Sequence, residues 1–450
     1  MAIQTSNDGV AEVPLAFVSN AFLDELTSGL RARPIPWEGY QRATLITQAE
    51  LNYIKAIEKK TGEDLSRVVD KEGNVYGELF ISLLQKLVRV DTIQSILILI
   101  DDLLLDHEER AAYFLQLGQT DASLPYAPLL KYVASCLRSE DSFIALKASK
   151  VLTTLLCASP KPDTEAAGEL FRWTTAQLQS KNPAEVDLSV QVLESALRQR
   201  NVRIVYWNTP QAIDALVRIL KMENPGPQMQ YQVIYCFWIL TFNEEIAQEL
   251  NRMYDVIPQL VDIAKSAIKE KVIRVVIATL RNLVEKAPEA NLAAMAAVKL
   301  LQFSENLSSR KWSDAEILED VNFLKAQLQE NFHTLTTFEV YKAELLSSRL
   351  TWSPPHLSEQ FWIKNWKELK KENYALLRVL ARLLSTSNDA IVLSVAASDI
   401  GQYVKRDPSS KKFLQEIGVK QKIMELMAHP DQEVRYNSVN TSWSLIGGKV

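Results

Sequence analysis

The sequence of 450 residues is poor in glycine, with 13, and in histidine, with four, and it contains three cysteines. Folds with many tight turns between strands need glycine in those turns, so its scarcity favours helices over sheets. Three widely separated cysteines are not the even set of a disulfide framework. We therefore expect Cys136, Cys157 and Cys236 to be buried free thiols rather than a disulfide or a metal site.

Long apolar runs are also missing. The most apolar segments, such as Val233–Phe242, are far shorter than the roughly 20 residues that a membrane-spanning helix needs. The N-terminal segment Met1–Pro14 lacks the basic region and apolar run of a signal peptide. The formal net charge of −5 argues against binding to nucleic acid, which requires a basic face. Any contact with a membrane is therefore expected to go through partner proteins.

The motifs of the common catalytic sites are absent from the sequence. No two glycines have the spacing of a phosphate-binding loop, no Gly-x-Ser-x-Gly elbow occurs, and no two histidines are four residues apart. An acidic cluster, comprising Asp101, Asp102, Asp106, Glu108 and Glu109, could bind a cation, although a solvated helix end is the favoured interpretation. We predict no catalytic residue, no cofactor and no metal.

What the sequence does contain is a repeat. Apolar or small residues spaced 4, 3 and 4 apart mark one side of a helix. Copies of this stripe begin at Ile93, Ile144, Val186, Met229, Val272, Leu393 and Val434. Most successive copies are 41 to 43 residues apart, which matches HEAT and armadillo repeats of about 40–47 residues. The spacing predicts an all-α protein, a HEAT/armadillo-like α-solenoid in which each stripe packs on its neighbours.

Proline positions divide the predicted array. Prolines 160, 162, 183, 225, 227, 288 and 408 all lie between stripes, as helices require. The adjacent Pro354 and Pro355 predict an extended, non-helical stretch and hence a boundary. We predict a flexible segment at 1–15, a large N-terminal array at 16–350, a linker at 351–357 and a smaller C-terminal helical-repeat domain at 358–450.

Armadillo nuclear-import adaptors bind basic peptides through tryptophan and asparagine four residues apart, and this sequence contains nine tryptophans. No tryptophan here is followed by asparagine at that spacing, so this function is disfavoured. Trp362 and Trp366 share one side of a predicted helix just after the linker. They are expected to pack inside the domain rather than to bind a ligand.

Several segments resemble the H subunits of eukaryotic vacuolar-type proton ATPases. The segments that carry the resemblance are Leu350–Trp362, Lys371–Tyr374, Gln230–Leu240, Lys269–Lys286 and Asp431–Asn437. They occur in the family's order, and with weaker matches near Trp37 and at Asp101 and Asp102 the likeness covers residues 20–440. The chain departs from the family near its end, where Ser438–Ser444 is mostly polar, and the final helix is expected to be truncated.

The resemblance implies a non-catalytic regulatory subunit on the cytoplasmic face of the vacuolar membrane. Such a subunit couples ATP hydrolysis in the soluble sector to proton transport and inhibits hydrolysis when that sector is detached. The implied partners are the peripheral-stalk subunits, the cytosolic domain of the membrane-sector a-subunit, and catalytic or rotor subunits of the soluble sector. The repeat alone equally allows a generic helical adaptor in transport or ubiquitin pathways, because a fold does not determine a function.

Two groups of residues are candidates for partner binding and for movement. Lys405, Arg406 and Arg435 could form a basic edge that faces an acidic partner, although a solvated surface explains them as well. The segment comprising Trp352, Ser353, Pro354 and Pro355 could act as a hinge between two rigid arrays.

Overall fold

The structure, a computed structural model, describes residues 20–105, 107–135, 142–222, 225–335 and 337–446. All regular elements in these residues are helices, which confirms the all-α prediction and is consistent with an α-solenoid. Within the same residues, no helix combines the length and the apolar character that a bilayer crossing demands. Contacts between residues divide the chain into two compact units, Met1–Ala247 and Gln248–Val450.

The first unit contains fourteen complete α-helices among the described residues. They are α1 Ala21–Arg31, α2 Trp37–Arg42, α3 Gln48–Ile57, α4 Gly62–Val69, α5 Gly73–Lys86, α6 Val90–Leu104, α7 Ala112–Leu115, α8 Tyr126–Ser135, α9 Ser142–Ala158, α10 Thr164–Gln177, α11 Pro183–Ala196, α12 Arg200–Trp207, α13 Ala212–Leu220 and α14 Pro227–Leu240. The next helix, α15 Glu244–Tyr254, begins in the first unit and ends in the second.

The second unit continues with α-helices of four to twenty-one residues. They are α16 Val256–Ser266, α17 Glu270–Lys286, α18 Pro288–Ala297, α19 Leu300–Ser308, α20 Ala315–Leu335, α21 Phe338–Ser347, α22 Pro354–Leu357, α23 Glu359–Asn365, α24 Lys371–Thr386, α25 Ala390–Arg406, α26 Lys411–Glu416, α27 Val419–Leu426 and α28 Gln432–Ile446. Short 3-10 turns precede α7, α24 and α26, and a further one, Gln116–Gln119, follows α7.

The seven predicted stripes fall on seven of these helices, namely α6, α9, α11, α14, α17, α25 and α28. Every stripe residue is buried except Val186 and Met229, which are half-buried. In the first unit α6 packs on α9, α9 on α11, and α11 on α14; in the second unit α25 packs on α28. The 41-to-43-residue period therefore corresponds to one helix per repeat that packs side by side with its counterparts.

Local sequence signals explain where the stripe helices begin. Asn182 caps α11 by accepting from the N–H of Ala184 at 3.1 Å, and Pro183 occupies the first turn, where its missing N–H costs no hydrogen bond. Asp389 caps α25 in the same way by accepting from the N–H of Ile391 at 2.8 Å. Of the prolines that separate the predicted stripes, Pro183, Pro227 and Pro288 each occupy the first turn of an α-helix.

Of the acidic residues predicted at the end of α6, Asp101 and Asp102 are held in ion pairs, Glu109 is exposed, and Asp106 lies outside the described residues. Asp101 forms ion pairs with Lys147 at 2.5 Å and Lys150 at 3.0 Å, both on α9, and Asp102 forms one with Arg31 on α1. Burial alone would raise the pKa of Asp101, but the two lysines outweigh it and lower that pKa. The expectation of a solvated helix end is therefore wrong for Asp101 and Asp102, because their basic partners lie more than 40 positions away in the sequence.

A second ionic network joins α17 to α20 within the second unit. The Arg274 guanidinium lies 3.1 Å from Asp314 and 2.9 Å from Asp320, and it also contacts Glu316. Arg281 reaches the same buried Asp320 at 2.5 Å. An aspartate shared between two arginines is compensated on both sides, so this contact fixes the two helices against each other.

Gly77 on α5 provides a first test of the packing. A Cβ at this position would lie 2.1 Å from the carbonyl oxygen of Tyr113, a backbone atom that cannot move aside cheaply. We expect Gly77→Ala to lower the free energy of unfolding by about 1–3 kcal/mol through overpacking. Thermal or urea unfolding of the purified variant measures this loss.

Gly29 on α1 is the matched control, because it is exposed and a Cβ there would meet nothing within 4 Å. Gly29→Ala should stabilise the chain by about 0.5–1 kcal/mol through helix propensity. Equal effects of the two substitutions would contradict the close approach of Tyr113 to α5.

Candidate junction and partner-binding surface

Two of the three thiols lie in the described residues, and both are shielded from solvent to different degrees. Cys157 is half-buried and Cys236 is buried, and both are free, while Cys136 lies outside the described residues. Burial raises the pKa of Cys157 to about 12 and that of Cys236 well above its ordinary value, so neither forms a reactive thiolate. Across the described segments, no group of three or more histidine, cysteine or acidic side chains is placed to hold a metal ion.

The predicted linker contains a helical turn. Pro354 and Pro355 begin α22, so the expectation of an extended stretch is wrong at this point. Proline suits the first turn of a helix because the N–H groups there have no partner within the helix. Of the hinge candidates, Ser353, Pro354 and Pro355 are buried, and Trp352 is half-buried against the core of the C-terminal helices.

Glu344 on α21 holds the chain that leads into this turn. Its Oε1 atom accepts from the N–H of Thr351 at 2.7 Å and from the Thr351 hydroxyl at 3.1 Å. Its Oε2 atom accepts from the Ser353 hydroxyl. One carboxylate therefore ties two residues before α22 back to α21, and hydrogen bonds to a charged group are the stronger kind.

A buried ionic cluster lies directly behind the turn. His356 Nδ1 is 2.7 Å from Asp399 Oδ2 on α25, and His356 Nε2 is 3.4 Å from Glu344 Oε2. The Tyr341 hydroxyl donates to the same Asp399 oxygen at 3.1 Å. The cluster connects three helices, α21, α22 and α25, through side chains that are almost entirely shielded from water.

The charges of this cluster follow from its geometry. Burial by itself would lower the pKa of His356, but the carboxylates of Asp399 and Glu344 outweigh it and raise that pKa to about 10. Burial raises the pKa of Asp399, against the effect of the facing imidazolium. At neutral pH we therefore assign a protonated His356 between two carboxylates.

The two tryptophans after the linker pack with the apolar core of the C-terminal helices, as predicted. Trp362 is fully buried, with its ring centroid 5.6 Å from that of Tyr341 and 5.5 Å from that of Phe361, in edge-to-face geometry. Trp366 is half-buried and contacts Tyr403 on α25. Both tryptophans pack inside the C-terminal helices, and neither forms a ligand cage.

The three basic candidates have different surroundings. Arg406 donates to the Gln402 carbonyl at 3.0 Å and lies 3.7 Å from Glu359, so its charge is partly neutralised within the chain. Arg435 donates to the carbonyl oxygens of His429 at 2.8 Å and Pro430 at 2.6 Å, and thereby holds the turn before α28. Lys405 is exposed on α25.

The sequence of most of the chain is similar to known proteins of one family. A family model for the N-terminal part of the V-ATPase H subunit matches residues 21–328, and one for its C-terminal part matches residues 334–449. The chain belongs to the V-ATPase H-subunit family. It is 34% identical over 430 residues to the H subunit of the V-type proton ATPase of Drosophila melanogaster, covering 94% of this chain and 89% of the relative.

Relatives from other organisms match at similar length. The chain is 30% identical over 439 residues to the probable H subunit of the V-type proton ATPase of Oryza sativa subsp. japonica, covering 92% of this chain and 94% of that protein. It is 28% identical over 393 residues to the corresponding H subunit of Dictyostelium discoideum, with 86% of each chain covered. The resemblance inferred from five short segments is thus confirmed over most of the chain.

The two family models meet inside α20, between residues 328 and 334. The C-terminal match therefore includes α21, whose Tyr341 and Leu345 lie in one apolar core with residues of α24, α25 and α28. The boundary predicted at 351–357 and the hinge at Trp352–Pro355 remain predictions. The ion pair between His356 and Glu344 was not predicted from the sequence, because these two residues belong to no recognisable motif.

A surface groove between α25 and α28 was also missed. Close approach of the two helices requires Gly401, since a Cβ there would lie 2.5 Å from Thr441 Oγ1, and that hydroxyl donates to the Ala397 carbonyl at 2.7 Å. Beside this contact a groove of about 430 Å³ is lined in part by Lys405, Asn440 and Trp443. Asn440 and Trp443 do not fit the pattern of the import adaptors, in which asparagine lies four positions from tryptophan, because Asn440 precedes Trp443 by three positions.

Proposed function

We propose that the chain is a non-catalytic regulatory subunit of the vacuolar proton pump. In this role it helps couple ATP hydrolysis in the soluble sector to proton transport and inhibits hydrolysis by the detached soluble sector. The observation that carries the proposal is membership of the V-ATPase H-subunit family across both family models. The names of the relatives identify them as subunits of a proton ATPase.

We infer that the chain itself catalyses no reaction. His356 is almost fully buried between Asp399 and Glu344, where it joins helices and cannot meet a substrate. The thiols of Cys157 and Cys236 are held protonated by burial. These potentially reactive groups are used for packing, which supports a role in binding and regulation.

The proposed partners differ between the two parts of the chain. The N-terminal array would bind the peripheral-stalk subunits on the cytoplasmic face of the vacuolar membrane. The C-terminal helices would bind the cytosolic domain of the membrane-sector a-subunit in the assembled pump, and a catalytic or rotor subunit after detachment. Each of these interfaces would bury at most about 1,200–2,000 Å², so that exchange between them stays reversible.

The hydrogen bonds of Glu344 determine the free energy that a pivot at Trp352–Pro355 would require. Movement there would break the hydrogen bonds from Thr351 and Ser353 to Glu344. Hydrogen bonds to a charged group contribute about 1.5–3 kcal/mol each. We propose that the C-terminal helices change partner as one body with α21. The segment Trp352–Pro355 would open only when contacts with a docked partner replace these hydrogen bonds.

The test is ATP hydrolysis by the detached soluble sector with and without the purified chain. We expect the full chain to suppress hydrolysis, and a chain lacking residues 337–450 to lose this suppression while still binding the peripheral-stalk heterodimer. The deletion starts before α21 because a cut at residue 357 would leave Tyr341 and Leu345 without their packing partners.

Binding to the stalk and a retained helical circular-dichroism signal are the controls for folding of the shortened chain. Unchanged hydrolysis in the presence of the full chain would contradict the inhibitory role. Suppression that persists with the shortened chain would contradict its assignment to the C-terminal helices. ATP hydrolysis by the purified chain alone would overturn the inference that it is not an enzyme.

A further inference from the structure

The groove between α25 and α28 has the features of a peptide-binding surface. The two helices pack side by side, and their polar side chains form its walls: Ser398, Gln402 and Lys405 from α25, with Asn437, Asn440 and Ser444 from α28. Its volume of about 430 Å³ lies within the usual range of small binding clefts, about 300–1,000 Å³. The groove follows the helices and is open to solvent, as an elongated ligand requires.

The charge of the groove has one sign. Lys405 is the only charged residue among the described residues that line it. The neighbouring Arg406 is engaged by Gln402 and Glu359, whereas the Lys405 ammonium forms no ion pair or hydrogen bond within the described part of the chain. An uncompensated ammonium in a polar cleft favours a ligand that brings a carboxylate.

The amide side chains supply groups that recognise a peptide backbone. The Asn440 carboxamide is exposed on α28. It forms no hydrogen bond with another described residue through its side chain. Asn437 is fixed beside it, because its Nδ2 donates to Ser394 Oγ at 2.8 Å. The Asn440 carboxamide offers both a donor and an acceptor, which is the pairing that an extended main chain presents, whereas the Nδ2 protons of Asn437 are already used within the chain.

An exposed indole completes the groove. Trp443 is 73% exposed, an unusual state for the largest apolar side chain, and its ring forms part of the groove wall. Tryptophan at a docking surface buries a large apolar area with little loss of conformational freedom. We propose that the groove between α25 and α28 binds an extended, acidic segment of a partner protein, with Lys405 pairing its carboxylate, Asn440 its backbone and Trp443 its apolar side chains.

This site would serve the exchange of partners by the C-terminal helices, and to that extent it rests on the proposed function. Binding can nevertheless be measured on the full chain without any pump subunit. A failure of peptide binding therefore leaves the hydrolysis assay unaffected, and a failure of inhibition leaves peptide binding unaffected.

The experiment uses the full chain labelled with 5-fluorotryptophan and followed by fluorine NMR, with the Trp443→Phe variant identifying the signal of that indole. The probes are a capped hexapeptide, Glu-Leu-Glu-Ser-Glu-Leu, its twin with glutamine in place of glutamate, and free glutamate. We expect the acidic peptide to shift the Trp443 signal, with binding that weakens as salt screens the charges.

Variants of the full chain assign the contacts. Lys405→Met should weaken binding of the acidic peptide about threefold to fivefold, the effect of one exposed ion pair. Trp443→Ala, whose binding is followed by isothermal titration calorimetry because the variant lacks the reporter indole, should weaken it by more than about tenfold, as loss of an aromatic anchor does. Lys412→Met, which removes an exposed lysine of α26 outside the groove, should leave binding unchanged.

Four outcomes would overturn the proposal. They are the absence of any shift with the acidic peptide, equal binding of the glutamine twin, an equal effect of Lys412→Met and Lys405→Met, and a shift produced by free glutamate as strongly as by the peptide. The last result would identify a site for small anions rather than for a protein segment.

Discussion

Replacement of His356 by leucine is expected to lower the free energy of unfolding of the second unit by about 3–5 kcal/mol. The imidazolium lies 2.7 Å from Asp399 and 3.4 Å from Glu344, and its removal leaves two carboxylates facing each other in the core. Leucine fills most of the space but cannot compensate a buried charge. Urea unfolding combined with hydrogen exchange of the α21 and α25 amides measures the loss and locates it.

A double variant separates the ionic effect from packing. His356→Leu combined with Asp399→Leu removes both members of the closest pair, and apolar replacement of a whole buried pair is often close to neutral. The double variant should therefore lose less stability than the sum of the single variants. Additive losses would show that His356 and Asp399 do not interact, which would contradict the assigned ion pair.

The effect of His356 should depend on pH in a defined direction. Its pKa is raised to about 10 in the folded chain, above the ordinary value of 6.5. A raised histidine pKa stabilises the fold fully below the unfolded value, and this contribution disappears as pH rises through the folded value. The difference in unfolding free energy between wild type and His356→Leu should thus shrink between pH 6.5 and 10. A difference that grows over this range would contradict a protonated His356.

Replacement of Trp362 by alanine is expected to cost about 3–5 kcal/mol of unfolding free energy in the same unit. The indole is completely buried and contacts Tyr341 and Phe361 edge-to-face, so truncation opens a cavity that surrounding helices fill only in part. Trp366→Ala is the matched control, because that ring is half-buried, and we expect a loss of about 1–2 kcal/mol there.

A conservative replacement at the same position refines the interpretation. Within the described residues the indole N–H of Trp362 has no hydrogen-bond acceptor. Trp362→Phe therefore removes side-chain volume without leaving a buried acceptor unsatisfied. We expect it to cost clearly less than Trp362→Ala. Equal losses from both substitutions, measured by urea unfolding, would show that the N–H does have a partner and that volume is not the main factor.

The repeat and the buried stripes could be predicted because they depend on short-range spacing. A helix has a fixed period, so Val272, Val276, Thr279 and Leu283 identify their buried side without knowledge of what they contact. Prolines such as Pro183 and Pro288 mark helix starts for an equally local reason. The all-α class follows from these signals alone.

The candidate site was less predictable because it joins residues that are distant in the sequence. His356 contacts Asp399, which lies 43 positions later in the sequence. Neither the residue types nor their spacing predicts this pair. The helical turn at Pro354 depends on neighbours that the Pro-Pro pair does not encode. At the start of α24, Glu372, Asn373 and Tyr374 adopt left-handed backbone angles although none is glycine, a conformation that their residue types do not predict.

The close contact between Gly401 and Thr441 has a consequence for how such a protein diversifies. These two residues set the spacing of α25 and α28, whereas Lys405, Asn440 and Trp443 lie on the open side of the same helices. Depth and chemistry of the groove are therefore encoded at separate positions. Substitutions at the open side alone should therefore change what the proposed groove binds, while the helix pair that supports it stays unchanged.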